Sequence, residues 1–556
     1  MTTYDNQVKA AFISALESAC RTGELPPCDL PADVPLERPK QETMGDLATP
    51  ISMQLAKVMH QSPLAIANAI VKHLPALDMV SQVEVVKPGY INLRYSPTWL
   101  VDQVLAILDA PDTFGNVSLG QGEQVQVEFV SANPTGPLHV GAARNAVLGD
   151  AIARVLEAAG YSVQREYYVN DAGSRVRLFG ESLYARYAQA LGQDISMPED
   201  GYQGQYMVDM AAEIISQHGD EYLRMEREEA VLALGAEGLN RVIAAAKDDL
   251  SFMGICYDRW FSEASLYTEG TFDRITSILS NGNHLERHDG AVWFKATELG
   301  GGKDEVVVRS DGTPGYFASD IAYHYDKFTL RGFQRVIDVW GADHQGHVPR
   351  MKAMMQALGL DPERLTIILY QLVTLKRGGE VVRLSKRTGD MITLREVLEE
   401  VGPDAVRFFL LARAADSQMD FDLDLAKEQS DVNPVYYVQY AHARTSSILR
   451  FAGELDYTKG DLSLLTTDSE QALIRRMIRL PEVITTAAEH LAPHHLTYYA
   501  QDLAAALHTF YRDCRVVNPE PGAEALSLAR LKLVAACRIA IARTLHLMGM
   551  TSPDIM

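Results

Sequence analysis

The stretch VEFVSANPTGPLHVGAARNAVLGD, from Val127 to Asp150, decides the fold of this 556-residue chain. Its first residues alternate in the manner of a β-strand, and a loop rich in turn-forming residues follows. The rest has the apolar stripe of a helix that begins near His139 and Gly141. The next segment, SVQREYYV, is a second strand pattern, so the sequence predicts a β-α-β unit. Such a unit indicates a parallel sheet with a right-handed crossover.

The start of this predicted helix is a candidate anion-binding site. The first N–H groups of a helix have no partner within it, and the helix dipole places positive charge there. Gly141 has no side chain, so a base or ribose could lie against the backbone, and His139 could donate to a phosphate. On these residues alone, a tight turn with a helix-capping histidine is an equally good interpretation.

Composition and charge limit the class of protein. The chain is too long for one hydrophobic core and suffices for three or four domains. It contains no 18-residue apolar run, and its first residues lack the pattern of a signal peptide. Five cysteines without a C-x-x-C pair predict a reduced, cytoplasmic protein with no structural zinc. The net charge of −22 argues against non-specific polyanion binding, although a local basic face can still bind nucleic acid.

Changes of pattern along the chain predict its domains. Residues 1–110 combine helices with two short strands and form an N-terminal α+β domain. Residues 120–400 form an α/β domain whose segment from about 175 to 285 is a mostly helical insertion. Residues 401–430 are a connecting helical segment, and residues 431–556 form an all-α domain.

Further strands are predicted beyond the insertion. The patterns lie at residues 306–310, 335–340 and 366–373, and a hairpin turns at Gly378 and Gly379. The hairpin leads into the segment VVRLSKRTGD, residues 381–390. A basic, glycine-terminated loop of this kind can close over a pyrophosphate, with Lys386 opposing charge that develops in the transition state. Taken alone, a solvated hairpin end is the better interpretation of this segment.

Together the two segments resemble the two signatures of the class I aminoacyl-tRNA synthetases, and in particular the arginyl-tRNA synthetases. His139, Val140 and Gly141 match the first three positions of the His-Ile-Gly-His signature, whereas Ala142 stands where the second histidine usually lies. The segment from Arg383 to Arg387 is similar to the Lys-Met-Ser-Lys-Ser loop of the class. The pairing of the two segments favours a functional interpretation of both.

The resemblance extends over nearly the whole chain. Similar segments include YYVNDAGSRV at 167–176, VRSDGTPGYFASDIAYHYDKF at 308–328 and IDVWGADHQGHVPRMKA at 337–353. The four residues Asp404 to Arg407 correspond to the Asp-Ala-Leu-Arg pattern that names the helical anticodon-binding domain of this group.

The resemblance implies a fold and a reaction. The fold is multidomain α/β: a class I Rossmann-like parallel-sheet catalytic domain with a helical insertion, an N-terminal α+β additional domain that contacts tRNA, and a C-terminal all-α anticodon-binding domain. The reaction is ATP-dependent attachment of L-arginine, through an arginyl-adenylate, to the 2′-hydroxyl of the terminal adenosine of tRNA(Arg). Its implied requirements are ATP with Mg²⁺ and tRNA bound before activation, in a monomer without structural metal or membrane attachment.

The resemblance also implies roles for individual residues. The implied catalytic residues are His139, Ser385 and Lys386. The implied ATP contacts are His139, Gly141, Asn145, Gly341, Asp343, His344, Leu384 and Lys386. The implied arginine contacts are Glu128, Ser131, Asn133, His139, Tyr316, Asp320 and Asp343. The implied tRNA contacts are Tyr436 and Arg444.

The chemistry of the arginine side chain explains why these residue types would form its pocket. A guanidinium is permanently charged and forked, so it requires carboxylates and planar acceptors. Asp320 follows Tyr316 by four residues, and a helix would place both side chains on one face. By the resemblance these two hold the guanidinium with the help of Glu128, while Ser131 and Asn133 bind the α-amino and carboxylate groups.

Alternatives remain open from the sequence. Tyr316 and Asp320 could be a core aromatic and a helix cap, and the aromatic residues around Tyr436 could be packing residues. Other class I synthetases, such as the cysteinyl type, are a second enzyme hypothesis, although the zinc ligands usual in that type are not evident. A nucleotidyltransferase and a catalytically silent synthetase-like binding protein complete the alternatives, and only Ala142 favours the silent protein.

Overall fold

The computed structural model describes residues 3–27, 29–39, 41–382 and 392–556. The N-terminal part contains four helices: α1 (Thr3–Arg21), α2 (Ile51–Met59), α3 (Pro63–His73) and α4 (Pro97–Asp109). Its antiparallel sheet has the order β1-β3-β2 and contains β1 (Leu47–Thr49), β2 (Val80–Val86) and β3 (Tyr90–Tyr95). Helices α2 and α3 are separated by a short break. His60 takes a left-handed conformation between them, and Ser62 caps the second helix.

The central sheet is wholly parallel and has the order β11-β10-β4-β5-β6. Its strands are β4 (Gln124–Glu128), β5 (Ser162–Val169), β6 (Arg259–Ser262), β10 (Arg335–Gly341) and β11 (Leu365–Tyr370). Helix α5 (Gly141–Ala158) connects β4 to β5, as the sequence pattern predicts. The chain winds outward in both directions from β4, so the order reverses between β4 and β10. A crevice at the carboxyl ends of these two strands is the usual ligand site of such sheets.

Helix α5 packs very closely on the end of β4. Its side chains from Ala143 to Ala153 are all buried. A Cβ atom at Gly149 would lie 2.1 Å from Cγ of Phe129, so only glycine permits this separation of helix and strand.

Three helices extend from the end of β5: α6 (Ser174–Ala190), α7 (Gln205–His218) and α8 (Arg227–Phe252). They form a separate hydrophobic core around Phe179, Leu183 and Leu234. Strand β6 then joins the edge of the central sheet, although its residues fall within the predicted helical insertion. Hydrophobic periodicity does not distinguish a short edge strand from a connection, which explains the difference.

Smaller elements follow along the chain. Helices α9 (Glu263–Thr268) and α10 (Thr271–Asn281) precede a three-stranded antiparallel sheet of β7 (Leu285–His288), β8 (Ala291–Phe294) and β9 (Glu305–Val308). Helices α11 (Tyr316–Tyr325) and α12 (Val348–Ala357) flank β10 in the sequence. The predicted hairpin is formed by β12 (Val373–Arg377) and β13 (Glu380–Val381).

The remaining described residues are mostly helical, as predicted. Helices α13 (Leu394–Val401), α14 (Pro403–Leu411) and α15 (Leu423–Lys427) lead to the C-terminal bundle. Strand β14 (Met419–Asp422) pairs in parallel with β12, so the predicted connecting helical segment also contains a strand. The bundle contains α16 (Pro434–Phe451), α17 (Asp468–Met477), α18 (Leu480–Glu489), α19 (His494–Asp513) and α20 (Glu524–Leu547). None of the described helices is long and apolar enough to cross a membrane.

Candidate active site

The site lies where the strand order of the central sheet reverses. Glu128, the last residue of β4, is paired with Asp338 of β10, so the chain leaves both strands at one edge of the sheet. The loop after β4 carries the first signature, and the loop after β10 carries Asp343 and His344. Val130 and Ser131 have φ values of 69° and 43°, which a β-branched residue and a serine rarely adopt. Such backbone conformations are often found where a ligand site requires them.

His139 turns back onto the start of its own helix. The N–H of Gly141 donates to Nδ1 of His139 over 2.9 Å. An accepting Nδ1 in a neutral imidazole requires the proton on Nε2, which makes Nε2 a donor. Val140 occupies the N-cap and supplies no side-chain bond to the helix. The N–H groups of Ala142 and Ala143 donate to the carbonyls of His139 and Val140 over 2.8 and 3.0 Å, so the positive end of the helix dipole is what this turn offers an anion.

The chain after the second signature is bonded to the first signature. The N–H of Leu394 donates to the carbonyl of Leu138 over 2.7 Å, and the N–H of Val140 donates to the carbonyl of Ile392 over 3.3 Å. Thr393 completes this short antiparallel bridge opposite His139. Residues 383–391, with the predicted Leu384, Ser385 and Lys386, lie outside the described residues. The residues that follow this segment are therefore hydrogen-bonded to the first signature.

The Asn145 side chain connects the two central strands. Its Oδ1 accepts from the N–H of Val130 over 2.7 Å, and its Nδ2 donates to the carbonyl of Val339 over 2.8 Å. The residue is buried. Its amide is bonded to the backbone after β4 and within β10, and the contact of Asn145 with ATP stays a prediction.

Helix α11 carries the predicted guanidinium contacts on one face. Tyr316 lies in its first turn and is 71% exposed, with the guanidinium of Arg309 5.1 Å from its ring centre. Asp320 lies one turn later and is mostly enclosed. Burial, together with the carboxylates of Glu263 and Glu128, raises the pKa of Asp320 to about 7, although His324 opposes the shift. Among the described residues no cation is hydrogen-bonded or ion-paired with its carboxylate.

Glu263 is a further carboxylate that the sequence did not single out. It begins α9 directly after the carboxyl end of β6, and it accepts from Ser319 Oγ over 2.7 Å. Burial raises its pKa, and the neighbouring Asp171 adds to the shift. Within the described residues its carboxylate also lacks an ion-paired cation. The position of Glu263 directly after a parallel strand is the signal that could identify it. The sequence pattern does not show that strand, because it places the segment within the helical insertion.

Glu128 differs from these two carboxylates because it is ion-paired, although burial still raises its pKa. Its Oε2 lies 2.5 Å from Lys327 Nζ, and the same ammonium lies 3.0 Å from Asp338 Oδ1. His324 Nε2 lies 2.9 Å from the other oxygen of Asp338. Burial opposes the charge on Lys327, but the two carboxylates outweigh burial and its pKa lies above the ordinary value. Glu128 is thus part of the pocket floor and not an uncompensated acceptor.

The two small polar residues after β4 differ in their surroundings. Ser131 Oγ donates to Glu128 Oε1 over 2.8 Å and accepts from the N–H of Tyr168 over 3.1 Å. Asn133 is exposed, and its Oδ1 accepts from Asn170 Nδ2 over 3.0 Å. Asn133 is therefore accessible to a ligand, whereas the Ser131 hydroxyl is occupied by the protein.

The loop after β10 forms the other wall of the crevice. Asp343 and His344 are exposed, and their side chains lie 3.7 Å apart. A Cβ atom at Gly341 would lie 2.5 Å from Asp343 Oδ1, so glycine lets that carboxylate turn back over the strand end. The rings of His344 and His347 lie 5.4 Å apart. No group of three or more His, Cys, Asp or Glu side chains among the described residues is arranged to hold a metal ion.

The predicted RNA contacts lie on one helix of the C-terminal bundle. Tyr436 and Tyr440 are stacked in α16 with ring centres 5.9 Å apart. The guanidinium of Arg444 lies 5.6 Å from the ring centre of Tyr440 and 4.4 Å from that of Tyr511. Part-exposed aromatic rings beside an arginine can stack on unpaired bases. Tyr437 instead packs against His508, at 4.8 Å between ring centres.

Comparisons with known proteins agree along the chain. Residues 6–95 match the family model described as arginyl tRNA synthetase N terminal domain. Residues 103–447 match the model described as the catalytic domain of the class I (R) tRNA synthetases. Residues 438–556 match the model of the DALR anticodon binding domain. The arginine–tRNA ligase of Dehalococcoides mccartyi strain CBDB1 is 54% identical over 553 residues, 99% of each chain. That of Moorella thermoacetica is 47% identical over 99% of this chain and 98% of its own. The arginyl-tRNA synthetase structure from Thermus thermophilus superposes with a TM-score of 0.76 at 25% identity, over 99% of this chain and 100% of that one.

Proposed function

Because the chain belongs to the arginyl-tRNA synthetase family, we propose that it attaches L-arginine to tRNA(Arg) in an ATP-dependent reaction. One structural observation carries the assignment of the amino acid. Asp320 and Glu263 are two enclosed carboxylates near the switch point that lack an ion-paired cation among the described residues. An uncompensated pair of this kind is costly unless a cationic ligand occupies the pocket, and a guanidinium supplies a charge of matching shape.

Different walls of the pocket bind the guanidinium and the α-amino and carboxylate groups of arginine. Asp320 and Glu263 receive the guanidinium, and the exposed Tyr316 ring lies above it in the first turn of α11. Asn133 binds the α-amino or carboxylate group. Glu128 accepts from Lys327 and from the Ser131 hydroxyl, so these residues form the floor of the pocket and do not bind the guanidinium directly.

Activation needs no nucleophile from the protein. An oxygen of the arginine carboxylate forms a bond to the α-phosphorus of ATP, and the bond from that phosphorus to the bridging oxygen breaks, so pyrophosphate leaves. The His139 Nε2–H and the N-terminus of α5 oppose the negative charge on the phosphates. Lys386 and Ser385 approach from the second signature, and positioning and charge neutralisation supply the rate.

Nucleotide contacts outside the phosphates come from both crevice walls. Gly141 leaves room above the start of α5, and Gly341, Asp343 and His344 contact the ribose and base, with Leu384 from the second signature. Magnesium arrives bound to the phosphates of ATP, as part of the substrate.

Transfer completes the reaction. The 2′-hydroxyl of the terminal adenosine attacks the carbonyl carbon of arginyl-adenylate, and AMP leaves as the carbon–oxygen bond to phosphate breaks. Tyr436 and Arg444 contact the anticodon loop, and the domain at 1–110 contacts the tRNA elbow. The domain at 120–400 carries the chemistry, and the bundle at 431–556 follows the connection at 401–430. We place this reaction in the cytoplasm and assign it to a monomer.

Amino-acid-dependent exchange of pyrophosphate into ATP tests the proposal. The full chain is assayed with saturating tRNA and with arginine, citrulline, lysine or cysteine. Citrulline is a neutral isostere of arginine, so it isolates the contribution of the guanidinium charge. Exchange with arginine alone supports the proposal. Equal exchange with citrulline would contradict the role of the two carboxylates, and exchange with cysteine would favour another class I enzyme.

A further inference from the structure

Two tyrosine hydroxyls hold the loop after β4 on either side of Asn133. Tyr167 lies on β5 and donates to the carbonyl of Ala132 over 3.1 Å. Tyr206 lies in the first turn of α7 and donates to the carbonyl of Thr135 over 2.7 Å. Asn133, which we assign to the arginine backbone groups, therefore lies in a short segment that is hydrogen-bonded at both ends.

The ring of Tyr167 is held by packing. The residue is 2% exposed, and its ring stacks on that of Trp260 with centres 4.2 Å apart. The ring of Tyr257 meets it edge-on at 5.5 Å. Burial raises the pKa of Tyr167, so its hydroxyl keeps the proton that it donates. A ring enclosed in this way keeps its hydroxyl at one position, and the Ala132 carbonyl is fixed with it.

Tyr206 brings the helical insertion into contact with the same loop. It packs at the edge of the hydrophobic core of α6, α7 and α8. A Cβ atom at Gly136 would lie 3.2 Å from Tyr206 Cζ, and one at Gly204 would lie 2.6 Å from its Cε1. The ring therefore lies against the backbone of both the loop and the insertion. Burial raises the pKa of Tyr206 to about 12, so its hydroxyl is a donor throughout the neutral range.

Pro134 makes the segment between the two bonded carbonyls stiff. It is buried, and its ring fixes its own φ. The residue before a proline is restricted to extended conformations, so Asn133 also has little backbone freedom. Displacement of the Ala132 or Thr135 carbonyl will therefore move Asn133 rather than be absorbed by the loop.

The orientation of the Asn133 amide selects its ligand atom. Its Oδ1 accepts from Asn170 Nδ2 over 3.0 Å, and Asn170 follows β5 directly. In this orientation Nδ2 is the donor that Asn133 can offer to a ligand. A carboxylate accepts such a bond, whereas the α-ammonium of arginine does not.

We propose that Tyr167 and Tyr206 are positioning residues for the amino acid, whose hydroxyls hold the loop so that Asn133 Nδ2 meets the arginine carboxylate. This inference rests on the proposed function and adds a role for the helical insertion, which supplies Tyr206. Neither tyrosine contacts a substrate, and each acts through the loop that carries Asn133.

The chain offers a matched control for each tyrosine. The hydroxyl of Tyr187 donates to a backbone carbonyl over 2.6 Å within the insertion, so Tyr187→Phe matches Tyr206→Phe. The hydroxyl of the buried Tyr499 donates to a backbone carbonyl over 2.9 Å in the C-terminal bundle, so Tyr499→Phe matches Tyr167→Phe. Each control removes a bond of the same kind away from the loop after β4.

The experiment measures pyrophosphate exchange at varied arginine concentration, with saturating ATP and tRNA, together with thermal unfolding. Agmatine serves as a competitive inhibitor, because it keeps the guanidinium and the amine of arginine but lacks the carboxylate. We expect Tyr167→Phe and Tyr206→Phe each to raise the arginine KM by about fivefold, the loss expected from one hydrogen bond. The kcat and the agmatine Ki should stay within about twofold of the parent chain. Both control variants should keep all three constants within about twofold, even where they lower Tm.

Three results would overturn the inference. An unchanged arginine KM in folded Tyr206→Phe would exclude its role, and an equal rise in a variant and its control would show a purely structural one. An agmatine Ki that rises in parallel with the arginine KM would exclude action through the carboxylate. If Tyr167→Phe does not fold, Tyr206→Phe and its control decide alone. Absence of exchange in the parent chain would instead refute the proposed function, so the two failures are distinguishable.

Discussion

The N–H of Gly141 donates to Nδ1 of His139 over 2.9 Å, at the start of the helix that follows the central strand. This bond fixes which nitrogen of the imidazole carries the proton. The Nε2 atom therefore carries the proton, and we assign this N–H to a phosphate oxygen of ATP, beside the positive end of the helix dipole.

Replacing His139 with Ala should therefore lower the rate of arginine activation. Removal of one preorganised donor to a developing charge typically reduces kcat by about 10²- to 10³-fold. Arginine KM should change little, because His139 faces phosphate in this account. Pyrophosphate exchange at varied arginine concentration measures both constants. A variant that raises KM and keeps kcat would contradict the assignment.

Ala142→His tests the position where the family signature usually has a second histidine. Ala142 is half-buried in the first turn of α5, the turn that we assign to the same phosphates. An added donor should raise kcat for activation, by up to about tenfold. The exchange assay with saturating substrates measures this change, with Ala142→Gln as a control for added volume. A lower or unchanged kcat would show that the site does not lack this donor.

Asp320 should make arginine binding depend on pH. Its pKa lies at about 7 in the folded chain, and the ionised form is required to pair with a guanidinium. Arginine affinity, measured by calorimetry, should therefore rise as pH increases through about 7, with release of a proton on binding below that pH. An affinity that is constant between pH 6 and pH 8 would exclude this role.

Asp320→Asn should separate stability from binding. The folded state holds a proton that the unfolded state releases between the ordinary pKa of 3.8 and about 7, so the free energy of unfolding falls as pH rises through that window. The amide removes this penalty, and the variant should be more stable than the parent at pH 8 by roughly 2 kcal/mol in urea unfolding. It should also lose arginine binding. The exposed Asp273→Asn should change neither quantity.

Lys327→Met should strongly destabilise the protein. The ammonium is fully buried between Glu128 and Asp338, at 2.5 and 3.0 Å, and its loss leaves Glu128 without an ion-paired cation and Asp338 with His324 alone. Removing one partner of a buried ion pair typically costs about 3–5 kcal/mol. Urea unfolding of Lys327→Met and of the exposed control Lys303→Met measures the difference. A loss in Lys327→Met no larger than in the control would show that the carboxylates find other compensation.

Local sequence patterns predicted much of this architecture. The alternation before Phe129 and the stripe after Gly141 set the strand and the helix, because both elements follow from periodicity alone. The four-residue spacing of Tyr316 and Asp320 likewise placed both on one helix face, as α11 shows. These features depend on neighbours in the chain, which the sequence displays directly.

Long-range pairing could not be predicted in this way. Glu128 meets Lys327 across 199 residues, and Asp150 meets Arg407 across 257 residues. Glu263 lies in the pocket because it directly follows β6, which pairs with β5 at the edge of the central sheet. Such relations depend on how the strands are ordered, and no local periodicity encodes that order.

Transfer of labelled arginine to tRNA is the most direct test of the proposed activity. The full chain is incubated with ATP, magnesium and tRNA(Arg), and acid-precipitable label is counted, with lysine and cysteine as parallel substrates. We expect ATP-dependent charging with arginine alone, which is lost when the tRNA ends in 2′-deoxyadenosine and retained when it ends in 3′-deoxyadenosine. Folded protein that transfers no arginine, or that charges lysine or cysteine equally well, would contradict it.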